Sequence, residues 1–261
     1  MARLMGVVNV TPDSFSDGGL YLDPAAAVAH GRELAEAGAV VLDVGGESTR
    51  PGAEPVGAEE ELRRVVPVVR GLRDCGCELS VDTSKAAVAA AAIDAGATIV
   101  NDVTALRGDP EMAALCAERD ATVVLMHMLG EPRTMQNDPR YDDVVAEVKA
   151  FLAERLAAAT AAGIAAERVW LDPGIGFGKT AAHNMELLRR LGELRELGRP
   201  LVVGTSRKSF IGRVDGSAAG ERLGGTIASS VIAAAEGAEV LRVHDVAEVR
   251  QALAVATAIL G

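Results

Sequence analysis

Apolar runs and amphipathic stretches alternate along the whole chain. Short, nearly continuous apolar runs recur near residues 4–10 (LMGVVNV), 39–44 (AVVLDV), 78–83 (ELSVDT), 98–103 (TIVNDV), 122–128 (TVVLMHM), 168–173 (RVWLDP), 200–206 (PLVVGTS) and 239–245 (EVLRVHD). Runs of that length and composition suit strands covered on both faces, as in a parallel sheet. Between them the spacing becomes helical. Leu62, Val65, Val66, Val69 and Leu72 share one face, as do Val144, Val145, Val148, Phe151 and Leu152, and later Leu187, Leu188, Leu191 and Leu194. Glycines at 38, 96, 163, 198 and 237 follow these stretches, where a helix C-terminus favours a left-handed residue. Pro67 inside the second helical stretch predicts a kink or break.

Eight strand–helix units in 261 residues, roughly 33 residues apiece, predict an α/β fold: a single-domain (β/α)8 TIM barrel spanning 1–261. A doubly wound sheet is the alternative, because a pattern along the chain does not register closure. No linker, low-complexity stretch or charge run marks a second domain.

Composition narrows the partners. The chain is 49% apolar and 24% charged, which excludes wholesale disorder. Its 26 Lys and Arg stand against 37 Asp and Glu, a net charge of −11. That balance speaks against a nucleic-acid or anionic-membrane partner, while leaving room for a local basic pocket. The apolar run at the amino end stops at Asn9, short of a signal-peptide core, and Asp94, Glu154, Arg155 and Glu236 interrupt the Ala-rich segments. Cys75, Cys77 and Cys116 form neither an even disulfide set nor a CxxC pair, so reduced thiols and a cytoplasmic location are expected. Aromatics make up only 3%, and Phe15, Phe177 and Phe210 fall in predicted rim loops.

Candidate chemistry lies where the strands end. The eight runs close on Asn9, Asp43, Asp82, Asn101 with Asp102, His127, Asp172, the segment Ser206-Arg207-Lys208-Ser209, and Arg242 with His244. Any one of these could be a cap or a turn residue. Eight in succession, at the rim that holds the active site in this fold, predict one convergent polar pocket. Three connections, 11–23, 45–57 and 129–141, are long, as lids, binding loops or disordered segments are, and the first two are rich in the Gly, Pro, Ser and Thr that suit a mobile cover. Arg242 and His244 are two apart on a strand, so they share a face and could make an anion site. Asp172 and Asn101 could read a heterocycle with adjacent N–H donors. Lys208 could donate to a ring atom, form a Schiff base or stand in solvent; for His127 a structural role is preferred to a catalytic one.

Two tempting motifs fail. Gly174-Ile175-Gly176-Phe177-Gly178-Lys179-Thr180 mimics a phosphate loop, but Pro173 stands where its first glycine belongs, and Lys179 replaces the third glycine of GxGxxG. No HExxH, GxSxG or Cys/His cluster is present.

The segments Met5-Gly6-Val7-Val8-Asn9-Val10-Thr11-Pro12-Asp13-Ser14-Phe15-Ser16-Asp17-Gly18-Gly19 and Asp43-Val44-Gly45-Gly46-Glu47-Ser48-Thr49-Arg50-Pro51-Gly52 resemble the two opening signatures of the dihydropteroate synthase family of pterin-binding enzymes. The resemblance continues in order through Asp82-Thr83, Asn101-Asp102-Val103, Leu125-Met126-His127-Met128, Asp172-Pro173-Gly174, Thr205-Ser206-Arg207-Lys208-Ser209 and Arg242-Val243-His244-Asp245. It implies a folate-pathway transferase that joins 6-hydroxymethyl-7,8-dihydropterin diphosphate to 4-aminobenzoate with Mg²⁺, releasing diphosphate, and that forms a homodimer. It implies that Asp82, Asn101, Asp172 and Lys208 hold the pterin, with Val103 and Met126 lining its slot. Arg50, Arg242 and His244 would take the diphosphate, and Asn9 its magnesium. Thr49, Pro51, Phe177, Lys208 and Ser209 would form the aminobenzoate side, covered by Phe15 and Asp17. Asp17, Asp82 and Lys208 are the candidate catalytic residues. Two alternatives share the pterin readers: a methyltransferase domain, which needs no diphosphate set, and a silent paralogue, whose first two loops would be damaged. Ile175 departs from the pattern, standing where some members have Phe.

Overall fold

The structure is a computed structural model that describes residues 1–11, 23–48, 53–130 and 134–260. Its strands are β1 (Arg3–Asn9), β2 (Val41–Gly45), β3 (Glu78–Asp82), β4 (Ile99–Asp102), β5 (Thr122–Met126), β6 (Val169–Asp172), β7 (Val202–Val203) and β8 (Val240–Val243). All neighbours are parallel, in the order β6-β5-β4-β3-β2-β1-β8-β7. An isolated parallel bridge between Leu171 and Leu201, with the Leu171 amide donating to Pro200 O at 2.9 Å, brings β7 back against β6. The sheet is thereby an eight-stranded barrel, and the doubly wound alternative is excluded.

The helices that wrap it include α1 (Pro24–Ala37), α2 (Ala58–Leu72), α3 (Ala86–Ala95), α4 (Met112–Glu118) and α5 (Val144–Ala161). They continue through α6 (Ala181–Arg189), α7 (Ser209–Asp215), α8 (Leu223–Ala235) and α9 (Val246–Leu260). Local sequence explains their ends. The Asp143 carboxylate accepts from Val145 N and Ala146 N at the start of α5, and Gly38, at φ 110°, closes α1 in a conformation that costs a side-chain-bearing residue more. Two expectations need correction. α2 runs through Pro67 unbroken, because Pro67 faces outward and the carbonyl it orphans, Arg63 O, belongs to an exposed residue that water can serve. The run 200–206 yields only two strand residues, since the chain leaves the sheet at Gly204 and turns at Arg207, φ 56°.

Strand alternation divides the core in two. Leu42, Val44, Leu79, Val81, Val100, Val123, Leu125, Leu171 and Leu241 point outward into the main core under the helices. Met5, Val41, Ile99, Val124, Trp170, Val202 and Val240 point inward and form an apolar floor within the barrel. Phe210, assigned to a rim loop from sequence, instead lies on α7 and packs into the outer core.

Candidate functional site

The same alternation sets the site. Two residues beyond four of the seven floor residues the inner face turns polar: Asp43 follows Val41, Asn101 follows Ile99, Asp172 follows Trp170 and Arg242 follows Val240, while Met126 stands above Val124. Register brings them level, pairing Asp82 with Asn101 and Met126 with Asp172. The strand-end residues therefore sit as a second storey directly above the floor.

Hydrogen bonds knit that storey. Asp43, fully buried, accepts from Ser80 Oγ at 2.6 Å, Asn101 Nδ2 at 3.0 Å and Arg242 Nε at 2.6 Å, while Arg242 Nη2 donates to Asp82 Oδ2 at 2.9 Å. These bonds use two of the five N–H donors of the guanidinium. Burial works against the charge on Arg242, but Asp43 and Asp82 more than offset it and hold its pKa above the usual range. Burial pushes the Asp82 carboxyl up to about 8, against the pull of Arg242. Asp172 is likewise raised by burial, opposed by Lys208, and it accepts from Gly174 N at 2.7 Å.

Lys208 lies at the mouth. Its ammonium donates to Ile175 O and stands 4.8 Å from the Phe177 ring centroid, a cation–π contact. Burial pushes its pKa down to about 8, with Asp172 resisting and Arg242 adding repulsion. Val103, Met126, Met128 and Met135 form one apolar wall, and Phe177 packs on it. The expected slot of Val103 and Met126 is thus extended by two methionines that periodicity did not single out. Ser209 opens α7 and is exposed, and His244 sits one residue past β8 with its Nδ1 2.9 Å from Ser206 Oγ.

Two strand-end residues point the other way. Asp102, of outward parity, accepts from Thr104 N and Leu106 N, both at 2.8 Å, and caps the turn in which Ala105 and Leu106 adopt positive φ. His127 is buried outside the barrel, edge-on to Phe151 at 4.8 Å, and burial pushes its pKa down to about 3, aided by Lys179. Its expected structural role stands. Sequence reasoning missed Lys85, whose ammonium bridges Glu47 and the fully buried Glu61 and ties the second long connection to the base of α3. Phe15, Asp17, Thr49, Arg50 and Pro51 lie outside the described residues.

Among the described residues no group of three or more His, Cys, Asp or Glu could hold a metal, and no helix is long and apolar enough to cross a membrane. Asn9 ends β1 next to Gly45, its carboxamide presenting a single hard oxygen. That donor suits a magnesium ion whose other ligands are phosphate and water.

Comparison with known proteins agrees with this geometry. The family model described as pterin binding enzyme matches residues 5–244. The dihydropteroate synthase of Escherichia coli K12 is 49% identical over 260 residues, 99% of this chain and 92% of the relative. The Xanthomonas albilineans dihydropteroate synthase solved with 4-aminobenzoic acid superposes with a TM-score of 0.93 at 52% identity, covering 100% of this chain and 93% of that one. The same enzyme in complex with 7,8-dihydropteroate superposes with a TM-score of 0.89 at 48% identity, covering 100% and 94%. With the polar storey, the lysine mouth and both comparisons in register over nearly the whole length, the chain belongs to the dihydropteroate synthase family of pterin-binding enzymes.

Proposed function

We propose that this enzyme condenses 6-hydroxymethyl-7,8-dihydropterin diphosphate with 4-aminobenzoate to give 7,8-dihydropteroate and diphosphate. The observation that supports it most is the second storey itself: Asp82, Asn101 and Asp172 present acceptors and a carboxamide on one inner face, beneath the Lys208 ammonium. A dihydropterin carries adjacent N–H donors on one edge and ring acceptors on another, which is the complement of that set. The relatives solved with 4-aminobenzoic acid and with 7,8-dihydropteroate favour the same substrates.

The proposed chemistry is a dissociative displacement. The C–O bond between the pterin methylene and the diphosphate breaks, its electron pair leaving with the diphosphate. The resulting cation is conjugated to the electron-rich ring; Asp82 would face it, acting as a carboxylate in its deprotonated form, and Asp17 of the first long connection would be a second candidate carboxylate. The aminobenzoate nitrogen then forms the new C–N bond and gives its proton to solvent. No covalent enzyme nucleophile is required; electrostatic stabilisation of the departing charge carries the rate. Arg242 keeps N–H donors for that charge, His244 is steadied by Ser206 for the same purpose, and Arg50 would join them. Asn9 would hold Mg²⁺, which neutralises charge on the diphosphate when bound. Thr49, Pro51, Phe177 and Ser209 would flank the aminobenzoate, with Phe15 closing over it.

Incubating the purified protein with both substrates and Mg²⁺ is expected to yield dihydropteroate and diphosphate in equal amounts. Folded protein that makes no product from verified substrates would refute the reading and return the silent paralogue to consideration.

We further infer a cytoplasmic homodimer. Met185 of α6, Val214 of α7, and Leu223 and Ile232 of α8 are large apolar side chains exposed on neighbouring helices, a face suited to burial against a second copy.

A further inference from the structure

Five consecutive backbone carbonyls in the connection after β6 are each taken by a side chain. Gly174 O accepts from Lys179 Nζ at 3.0 Å, Ile175 O from Lys208 Nζ, and Gly176 O from Gln136 Nε2 at 2.6 Å. Phe177 O accepts from Lys179 Nζ at 2.9 Å and Gly178 O from Tyr141 Oη at 2.8 Å. The backbone reaches this arrangement through positive φ at Gly174, Gly176 and Gly178, which turn successive carbonyls in different directions.

Lys179 is the hub. It is 3% exposed, and beyond those two carbonyls its Nζ meets His127 Nδ1 at 2.8 Å and His127 O at 3.4 Å. His127 is held neutral, so its Nδ1 lone pair accepts from the ammonium. The ammonium therefore spends its hydrogens on two carbonyls of this segment and on a ring anchored against Phe151, with no carboxylate bonded directly to it. Burial pushes the Lys179 pKa down to about 7, with Asp172 resisting, and a buried amine of this kind is tolerated only where its hydrogens find acceptors. The two carbonyls that Lys179 holds bracket Ile175 and include that of Phe177. Those two residues are the ones that touch Lys208, through a carbonyl and through a ring.

We propose that Lys179 is a positioning residue for the condensation: it sets the carbonyl cradle of 174–178 and thereby fixes Lys208 and Phe177 where 4-aminobenzoate binds. The inference rests on the substrate reading above. Lys179 touches no substrate; it acts through the loop.

The test is a comparison of Lys179→Met and Tyr141→Phe with the parent, by steady-state kinetics and by the 19F resonance of 4-fluorophenylalanine placed at position 177. Lys179→Met is expected to raise KM for 4-aminobenzoate at least tenfold, with kcat at saturation changed less than threefold, and to shift the fluorine resonance. Tyr141→Phe, which removes one outer tie, is expected to raise the same KM about threefold. A merely structural lysine would lower the active fraction, and so kcat, while leaving KM unmoved. Parental KM values in both variants would overturn the proposal; if Lys179→Met does not fold, a parental KM in Tyr141→Phe overturns it alone. Should the parent turn over neither substrate, the substrate reading fails, and the fluorine resonance still decides the positioning: an unchanged signal in the folded variants refutes it.

Discussion

Lys208 shows how one residue can be both poised and constrained. Its ammonium is held by the Ile175 carbonyl and the face of Phe177, and burial lowers its pKa to about 8. The charged form exists below that value and is lost above it. A donor that must be protonated to meet a ring acceptor and to face Phe177 as a cation then gives a basic limb to the free enzyme. We predict that kcat/KM for the pterin diphosphate falls about tenfold per pH unit above about 8, and that the residual activity of Lys208→Gln lacks this limb. A profile flat to pH 9.5 in the parent would separate Lys208 from substrate binding. Asp43 makes the complementary point. It was legible in the sequence as a strand-end carboxylate, yet it faces three donors of the protein and serves to aim Asn101 and Arg242. Sequence shows that a side chain is polar and inward; which partner claims it depends on strands far apart in the chain, here residues 43 and 242.

At the scale of elements, most of the architecture was readable and the exceptions have physical causes. The eight apolar runs became eight strands because each is flanked by a helix that covers its outer side. Parity then separates Asn101, inward, from Asp102, outward, a distinction that a list of strand-end residues blurs. The 173–180 segment looked like a failed phosphate loop. Its glycines serve the backbone: Gly174 sits at φ 66°, and a Cβ there would stand 1.9 Å from His127 O. Gly178 is also confined, with a Cβ 2.6 Å from Leu129 O. Gly174→Ala must therefore displace the β5 end as well as bear left-handed strain. We predict a loss of stability of about 2 kcal/mol or more, read from the urea midpoint. Gly76→Ala, also at positive φ but with open space around its Cβ position, is expected to lose only about 1 kcal/mol. Equal losses at the two positions would show that strain alone, without the carbonyl clash, sets the cost.

For the whole molecule, a net charge of −11 has the wrong sign for a diphosphate, and the fold answers locally by setting Arg242 and Lys208 among the inner carboxylates at one end of the barrel. Lys208 and Arg242 stand at or under the mouth, and Lys179 lies buried behind it. Association belongs to this scale too: sedimentation velocity is expected to give twice the mass of the 26.9 kDa chain, and charged substitutions at Val214 and Ile232 are expected to return it to one. A monomer at all concentrations would leave that apolar face without a partner copy. Everything proposed for this enzyme depends on the inner polar storey being a pterin reader. Calorimetric titration of 6-hydroxymethyl-7,8-dihydropterin diphosphate into the parent and into Asp172→Ala tests that most directly. Saturable one-to-one binding to the parent and at least hundredfold weaker binding to the variant are expected; no binding to the folded parent, or equal affinity in the two, would contradict a pterin-reading storey.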